Sequence, residues 1–238
     1  MINNDIFSRF TMMLSASQVE KLFASKIIVF GVGGVGGAVA EMLVRSGIQH
    51  LSVVDFDDVD ITNINRQLVA NVNNVGKLKV EEFKSKIETI SPSARIKIFS
   101  EKLTQENIET FKLKDYDYIV DCIDDIKAKK ALIKFATSNN IPILSAMGAG
   151  NRYKEIPQFE VVDISKTSYD KIAKLLRKFC NEEGIKNLNV LPLSTQNSCV
   201  SSESAKGFNP PVLIQSSSCS IHAPNLRRQS TVAEISFE

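Results

Sequence analysis

The chain has 238 residues, 43% of them hydrophobic and 24% charged, and its formal net charge is +2. This size suits one globular domain with a buried core, or one domain with a modest extension. No apolar run approaches the length of about 20 residues that a membrane-spanning helix needs, and residues 1–8 lack the apolar stretch of a signal peptide. We therefore expect a cytoplasmic protein.

Apolar periodicity predicts alternating helices and strands over the first 145 residues. In chain order these are a helix over 17–24, a strand over 27–30, a helix over 35–43, a strand over 51–54, a polar loop through 74, a helix over 77–90, a strand over 95–99, a short helix over 106–111, a strand over 118–121, a helix over 126–137 and a strand over 141–145.

The later part of the chain has a weaker pattern. It predicts a strand over 158–164, a helix over 169–180 and a strand over 190–193. We therefore expect one domain over 1–194, followed by an irregular or disordered extension over 195–238 in which 232–237 can form a final strand.

Alternating strands and helices predict an α/β fold of the Rossmann-like, doubly wound type: a mostly parallel sheet with helices on both faces. Such sheets bind ligands beyond the carboxyl ends of their strands. Asp55, Asp121, Asp124 and the loop 147–150 all follow predicted strands. We expect them to converge on the glycine-rich run over 31–36.

That run contains Gly31, Gly33, Gly34 and Gly36 between a predicted strand and a predicted helix. Glycines let the backbone turn sharply and approach a phosphate, and a helix N-terminus offers free N–H groups to an anion. Asp55, which closes the next strand, is placed to contact a ribose. The alternatives are a tight turn without a ligand and a carboxylate that only caps its strand.

Further polar and charged residues follow at positions where they can reach a phosphate chain bound at the glycine-rich run. Asn63 and Arg66 lie in the loop after Asp55, and Lys79 opens the next helix. An arginine and a lysine at a phosphate chain can neutralise the charge that develops on phosphorus. Asp124 can hold Mg²⁺ against phosphates, or cap the helix that begins at Ile126. Taken singly, Arg66 could equally form a loop salt bridge and Lys79 could be an exposed helix residue.

Five ordered motifs give a specific resemblance. They are Gly-x-Gly-Gly-x-Gly at 31–36, Val-Asp-Phe-Asp at 54–57, Asn-x-x-Arg-Gln at 63–67, Gly-x-x-Lys at 76–79 and Asp-x-x-Asp at 121–124. Together they resemble the adenylate-forming superfamily of ubiquitin-activating-like enzymes, the ThiF/MoeB/HesA group.

Within that superfamily the chain is most similar to the tRNA threonylcarbamoyladenosine dehydratases. The sulfur-carrier activators usually bear two Cys-x-x-Cys pairs for zinc, whereas the four cysteines here, at 122, 180, 199 and 219, form none. The segments 8–14, 163–167 and 193–195 also resemble that branch. We expect Cys122 and Cys180 to be small buried hydrophobic residues, and no role is assigned to Cys199 and Cys219.

The resemblance implies ATP and Mg²⁺ as cofactors, with Asp124 as the metal ligand. It assigns nucleotide binding to Gly31, Gly33, Gly34, Gly36, Asp55, Asp57, Asn63, Arg66, Lys79 and Asp124. It assigns catalysis to Arg66, Lys79, Asp124 and Arg9, the last acting on the partner's ATP in a homodimer.

The implied reaction begins when the carboxylate of the threonylcarbamoyl group on tRNA attacks the α-phosphate of ATP. The neighbouring carbamoyl group then closes a ring, with net loss of water. This last step is intramolecular, so proximity can replace a protein nucleophile. The basic segments 127–130 and 171–178 are either solvated helix faces or contacts for RNA phosphates.

Two other functions stay open. One is an activator that adenylates a small ubiquitin-like or sulfur-carrier protein, with sulfur-transfer proteins as partners. The other is a non-catalytic nucleotide-binding regulatory protein, against which Arg66, Lys79 and Asp124 argue. An NAD-dependent dehydrogenase is disfavoured because it needs no such phosphate-directed set.

Overall fold

The computed structural model describes residues 4–148, 158–168 and 170–194. The α-helices in these residues are α1 (Asn4–Thr11), α2 (Ala16–Ala24), α3 (Gly34–Arg45), α4 (Lys79–Ile90), α5 (Ile126–Ser138) and α6 (Lys171–Glu182). Short 3-10 helices span Ile61–Asn63, Ile108–Phe111, Leu113–Asp115 and Ile164–Lys166. None of the helices in the described residues is long and apolar enough to cross a membrane.

The strands match the predicted order closely in the first half of the chain. They are β1 (Lys26–Phe30), β2 (His50–Val54), β3 (Arg95–Phe99), β4 (Tyr118–Asp121), β5 (Ile143–Ala146), β6 (Gln158–Phe159), β7 (Val162–Asp163), β8 (Asn189–Leu191) and β9 (Leu193–Ser194). The larger sheet has seven strands in the order β3-β2-β1-β4-β5-β8-β7, and β6 pairs with β9. The expected mostly parallel α/β sheet is confirmed. The chain divides between Ile143 and Leu144 into two compact units.

In the first unit, β1 is the central strand. It pairs in parallel with β2 on one side and with β4 on the other, while β3 pairs in parallel with β2. The chain therefore places β2 and β3 successively on one side of β1, and then places β4 on the other side of β1. Right-handed crossovers on the two sides of this reversal put α3 and α5 on opposite faces. The reversal creates the switch point at which doubly wound sheets bind ligands.

Helix α1 was not expected from the polar N-terminus. Its Phe7 is almost fully buried, and the Phe7 ring lies 5.5 Å from the ring of Phe23 in α2. Burial of this aromatic residue explains why a short polar helix is ordered here. The sequence signal was the apolar spacing of Ile6, Phe7 and Phe10.

The second unit corrects two predicted strands. The strand expected over 158–164 is two short strands, because β6 pairs with β9 while β7 pairs with β8 in the larger sheet. It ends at Asp163, which accepts a hydrogen bond from the Ser165 N–H at 2.8 Å and starts a 3-10 helix. The strand expected over 190–193 is interrupted at Pro192, which has no N–H to donate to a ladder. β7 also runs antiparallel to β8. The predicted extension over 195–238, with Cys199, Cys219 and the strand over 232–237, lies outside the described residues.

Candidate nucleotide-binding site

The glycine-rich run is the turn between β1 and α3. Gly31 has φ +86°, and a Cβ atom there would lie 2.8 Å from the carbonyl oxygen of Cys122. A Cβ atom on Gly36 would lie 1.8 Å from the carbonyl oxygen of Gly31. Only glycine therefore fits at these two positions. Gly33 is the N-cap of α3 and makes no side-chain capping hydrogen bond, so the helix N-terminus presents its N–H groups to a ligand.

Asp55 holds this loop in place. One carboxylate oxygen accepts a hydrogen bond from the Val32 N–H at 2.8 Å, and the other accepts one from the Asp57 N–H at 2.9 Å. Burial raises the pKa of Asp55, against the effect of these two hydrogen bonds. Asp55 therefore acts as a backbone clamp, and its contact with a ribose stays a prediction.

Lys79 and Asp57 form an ion pair beside this loop. An isolated bridge between Asp58 and Leu78 brings the two segments together, and Lys79 Nζ lies 2.8 Å from Asp57 Oδ2. The Lys79 side chain is 5% exposed and that of Asp57 is 49% exposed. The alternative of an exposed helix lysine is therefore wrong.

The Asn-x-x-Arg-Gln motif lies against the same turn. A Cβ atom on Gly34 would be 3.8 Å from Arg66 Cγ, so Arg66 flanks the start of α3. Its Nη1 donates to the Thr62 carbonyl at 2.8 Å and to Asn65 Oδ1 at 3.0 Å. The alternative of a loop salt bridge for Arg66 is not seen among the described residues. Asn63 is buried and its Oδ1 accepts a hydrogen bond from the Asp60 N–H at 3.1 Å.

Gln67 is a further candidate for the site: the Asn-x-x-Arg-Gln motif includes it, but sequence reasoning assigned it no role. It is buried, and a Cβ atom on Gly33 would lie 3.8 Å from its Nε2. Its Oε1 has no hydrogen-bond partner among the described residues. A buried carbonyl oxygen without a partner is costly, so a ligand donor here would relieve that cost. Its place next to Arg66 in the motif was the available signal.

The turn after β4 carries three carboxylates with different surroundings. Asp121 is fully buried and pairs with Lys129 at 2.8 Å. Asp125 caps α5 by accepting hydrogen bonds from the Lys127 and Ala128 N–H groups. The alternative role of Asp124 as helix cap is therefore wrong.

Asp124 itself is exposed and makes no hydrogen bond or ion pair with the described residues. The described part of the chain has no cluster of three His, Cys, Asp or Glu residues that could hold a metal alone. A cation here would be bound by one carboxylate plus ligand phosphates. Mg²⁺ is often bound in this way, so the residues present fit Mg²⁺.

Burial also changes what Lys129 and Cys122 can do. The Lys129 side chain is 0% exposed, so it is no part of a solvated or RNA-binding face over 127–130. Burial, reinforced by Asp121 and opposed by Lys129, raises the pKa of the Cys122 thiol to about 12. Cys122 is therefore no nucleophile at neutral pH. Cys180 is buried in α6, as predicted, whereas the Cys122 residue as a whole is half-buried.

Two predicted site elements are not brought into this cluster by the described contacts. Arg9 is exposed in α1, and its side chain makes no hydrogen bond or ion pair with the described residues. Of the loop 147–150, Met147 and Gly148 are described, and the Met147 N–H donates to the Leu191 carbonyl at 3.0 Å. Gly150 lies outside the described residues, and convergence of this loop with the glycine turn stays a prediction.

Comparison with known proteins decides the family. The model of the ThiF family matches residues 7–158. This chain belongs to the ThiF family. The resemblance drawn from the five motifs is thereby confirmed.

Relatives of this ThiF-family chain point to one branch. The tRNA threonylcarbamoyladenosine dehydratase of Bacillus subtilis is 42% identical over 76% of this chain and 70% of that protein. The enzyme of the same name from Haemophilus influenzae is 36% identical over 71% of this chain and 66% of that protein. The chain therefore spans about two thirds of the length of these relatives.

A solved structure gives the same answer for the fold. The crystal structure of Escherichia coli tRNA N6-threonylcarbamoyladenosine dehydratase in complex with AMP has a TM-score of 0.79 and 30% identity, covering 87% of this chain and 86% of that one. The same Escherichia coli protein is also known in complex with ATP.

Proposed function

We propose that this chain is an ATP-dependent tRNA threonylcarbamoyladenosine dehydratase. The observation that carries the proposal is the grouping at the switch point of an uncapped helix N-terminus, Arg66, Lys79 and the Asp124 carboxylate, which has no partner in the part of the chain that the structure describes. This set serves phosphoryl chemistry, and the names of the relatives supply the substrate. ATP is the nucleotide, with the tRNA threonylcarbamoyl carboxylate as the group to be activated.

The reaction follows from these groups. The N–H groups at the start of α3 bind phosphate oxygens, and Arg66 and Lys79 offset the negative charge that builds on phosphorus. The tRNA carboxylate forms a bond to the α-phosphorus, the bond to the bridging oxygen breaks, and pyrophosphate leaves. The carbamoyl group then attacks the activated carboxyl carbon and AMP leaves. Mg²⁺ held by Asp124 would neutralise phosphate charge when bound.

Pyrophosphate exchange into ATP tests this proposal, run separately with total tRNA and with candidate carrier proteins. We expect exchange with tRNA that bears threonylcarbamoyladenosine, and a nucleoside that has lost one water by mass spectrometry. Exchange with a carrier protein and no change in such tRNA would establish the alternative activator, with sulfur-transfer proteins as partners. ATP binding without exchange in either arm would establish a regulatory protein.

Stabilisation by nucleotides checks the cofactor independently. We expect ATP with Mg²⁺ to raise the melting temperature and NAD to leave it unchanged, because the site is built for a phosphate chain. Stabilisation by NAD alone would remove the adenylating assignment.

The proposed assembly is a homodimer of the domain over 1–194 in the cytoplasm, with 195–238 as an extension. Arg9 is exposed in α1 and is free to reach a partner's nucleotide. Mixing Arg9→Ala with Asp124→Ala subunits should restore activity, because one hybrid site contains both original residues. No restoration after confirmed subunit exchange would show that Arg9 acts in its own chain.

The proposed tRNA contact is the basic face of α6. Lys174 and Lys178 are exposed and lie one helical turn apart, whereas the buried Lys129 is unsuited to bind RNA. Reversing the charge of Lys174 and Lys178 should weaken tRNA binding and leave ATP binding intact. It should also make the fall of log tRNA affinity with log salt concentration less steep, because fewer phosphates are neutralised. The same change at the exposed Lys112 and Lys114 is the matched control. Equal effects of both pairs would remove α6 from the interface.

A further inference from the structure

A buried ion pair lies beneath the turn that carries Asp124. Asp121 ends β4 and Lys129 lies in α5, and both side chains are 0% exposed. The attraction between two buried charges roughly offsets the cost of removing them from water, and apolar residues of similar size often serve stability as well. Fold stability alone therefore gives little reason for charges here.

The two oxygens of the Asp121 carboxylate have separate partners. Oδ2 accepts a hydrogen bond from Lys129 Nζ at 2.8 Å, and Oδ1 accepts one from the Ile123 N–H at 3.1 Å. One carboxylate thus connects α5 to the middle of the turn. At the other end of the turn, Asp125 is fixed as the cap of α5 and pairs with Lys102 at 3.2 Å.

The same turn packs directly against the glycine loop. The Cys122 N–H donates to the Phe30 carbonyl at 2.8 Å, which extends the register of β4 with β1. A Cβ atom on Gly36 would lie 2.9 Å from Cys122 Cβ. Asp124 therefore lies between two anchored residues, without a partner among the described residues, on a turn in contact with the glycine loop.

We propose that Asp121 and Lys129 are positioning residues for Asp124: their buried pair fixes the 122–125 turn against the glycine loop and so sets where Asp124 meets the metal and phosphates. The inference rests on the proposed role of Asp124 as the metal ligand. Preorganisation of a ligand through a supporting hydrogen-bonded group is the physical basis.

The test uses the double variant Asp121→Asn/Lys129→Met, which removes both buried charges and keeps an acceptor for the Ile123 N–H. ATP affinity is measured by calorimetry with and without Mg²⁺. We expect the metal-dependent gain in ATP affinity to fall at least fivefold, with metal-free affinity within twofold of the original. Pyrophosphate exchange should lose kcat at least tenfold, with little change in KM for ATP.

A comparison in the Asp124→Ala background tests whether the pair acts through Asp124. In that background, Asp121→Asn/Lys129→Met should alter ATP affinity less than twofold, because Asp124, the residue that the pair positions, is already absent. Lys86→Met breaks the 2.7 Å pair with Glu41, between α4 and α3, and is the matched control that should keep full metal dependence. If the double variant fails to fold, Asp121→Glu takes its place, because it keeps both buried charges and displaces the carboxylate that bonds the Ile123 N–H, with the same expected result.

Two outcomes overturn the inference separately from the proposed function. In the first, Asp124→Ala loses the metal-dependent gain in ATP affinity while the Asp121→Asn/Lys129→Met variant keeps it. That result overturns the positioning role and leaves the proposed role of Asp124 intact. Full additivity of the two changes does the same. Unchanged metal dependence in Asp124→Ala overturns both the inference and the proposed role of Asp124.

Discussion

The carboxyl ends of β2 and β4 each carry a lysine–carboxylate pair of the same length in very different surroundings. Lys79 Nζ lies 2.8 Å from Asp57 Oδ2, and Lys129 Nζ lies 2.8 Å from Asp121 Oδ2. Asp57 is half exposed, whereas Asp121 and Lys129 are completely buried. An arriving phosphate can therefore compete with Asp57 for Lys79, but no ligand can reach Lys129.

The difference shows that the length of an ion pair does not indicate whether the pair can open to bind a ligand. A partly solvated carboxylate loses little when its cation moves, because water replaces the partner. A buried carboxylate without its cation has no such replacement. One pair is thus suited to exchange partners during binding, and the other to remain intact throughout.

The largest expected effect lies at the residue between these pairs. Asp124→Ala should lower pyrophosphate exchange about 10³-fold or more, on the order of 4 kcal/mol, because the proposed Mg²⁺ would lose the carboxylate that the proposal gives it. The free energy of unfolding should not change, since Asp124 has no partner among the described residues. Asp115→Ala, also at an exposed aspartate, is the control. Exchange at the original rate would remove Asp124 from the site.

Breaking the buried pair should cost stability. Lys129→Met should lower the free energy of unfolding by about 3–5 kcal/mol, because it leaves the Asp121 carboxylate buried without its cation. Urea denaturation measures this. Adding Asp121→Asn to the same chain should recover a large part of the loss, and absence of recovery would show that lost packing, rather than charge, is the cause.

The exchangeable pair should show the opposite behaviour. Lys79→Met should lower exchange by about 10²–10³, or about 2.7–4 kcal/mol of transition-state stabilisation. Its free energy of unfolding should change by no more than about 1 kcal/mol, because Asp57 is half exposed. A loss of stability as large as that of Lys129→Met would erase the distinction between the two pairs.

The smallest effect comes from a third pair, which calibrates the other two. Burial alone would raise the pKa of Glu41, but hydrogen bonds from Lys86 and Arg45 hold it below 4.5. The ionised form thus stabilises the fold above pH 4.5, and this contribution is lost as pH falls through the lowered pKa. Glu41→Gln should cost about 1 kcal/mol at neutral pH. Melting curves from neutral to acid pH should show that the difference in stability between Glu41→Gln and the original protein shrinks below pH 4.5. A difference that stays constant with pH would exclude the ionic cause.

Sequence alone anticipated β1, β2 and β4 because buried parallel strands are continuous apolar runs, and β3 because its apolar and polar residues alternate. It also placed Arg66, Lys79 and the glycine turn together, since motif spacing and the carboxyl-end rule constrain them. It did not anticipate the burial of Lys129. The run Lys-Ala-Lys-Lys looks like a solvated face, and which lysine turns inward depends on a carboxylate that only the folded sheet brings near.

Other misses share that cause. Asp125 rather than Asp124 caps α5, a choice between neighbouring acids that depends on backbone geometry. The interruption over 158–164 arises because β6 pairs with β9 and β7 with β8, and apolar periodicity does not register which strand is the partner. Gln67 was quoted in its motif without a role, because the lack of a partner for its oxygen among the described residues is visible only in three dimensions.

The contact of Gly36 with Gly31 and Cys122 has a consequence for how this protein can change over time. Even alanine at position 36 would put a methyl group 1.8 Å from a carbonyl oxygen. Even the smallest substitution at position 36 would displace the ends of β1 and β4, so no series of single substitutions through small side chains can replace this glycine. A saturation library at this codon, scored for nucleotide binding, should return glycine codons alone.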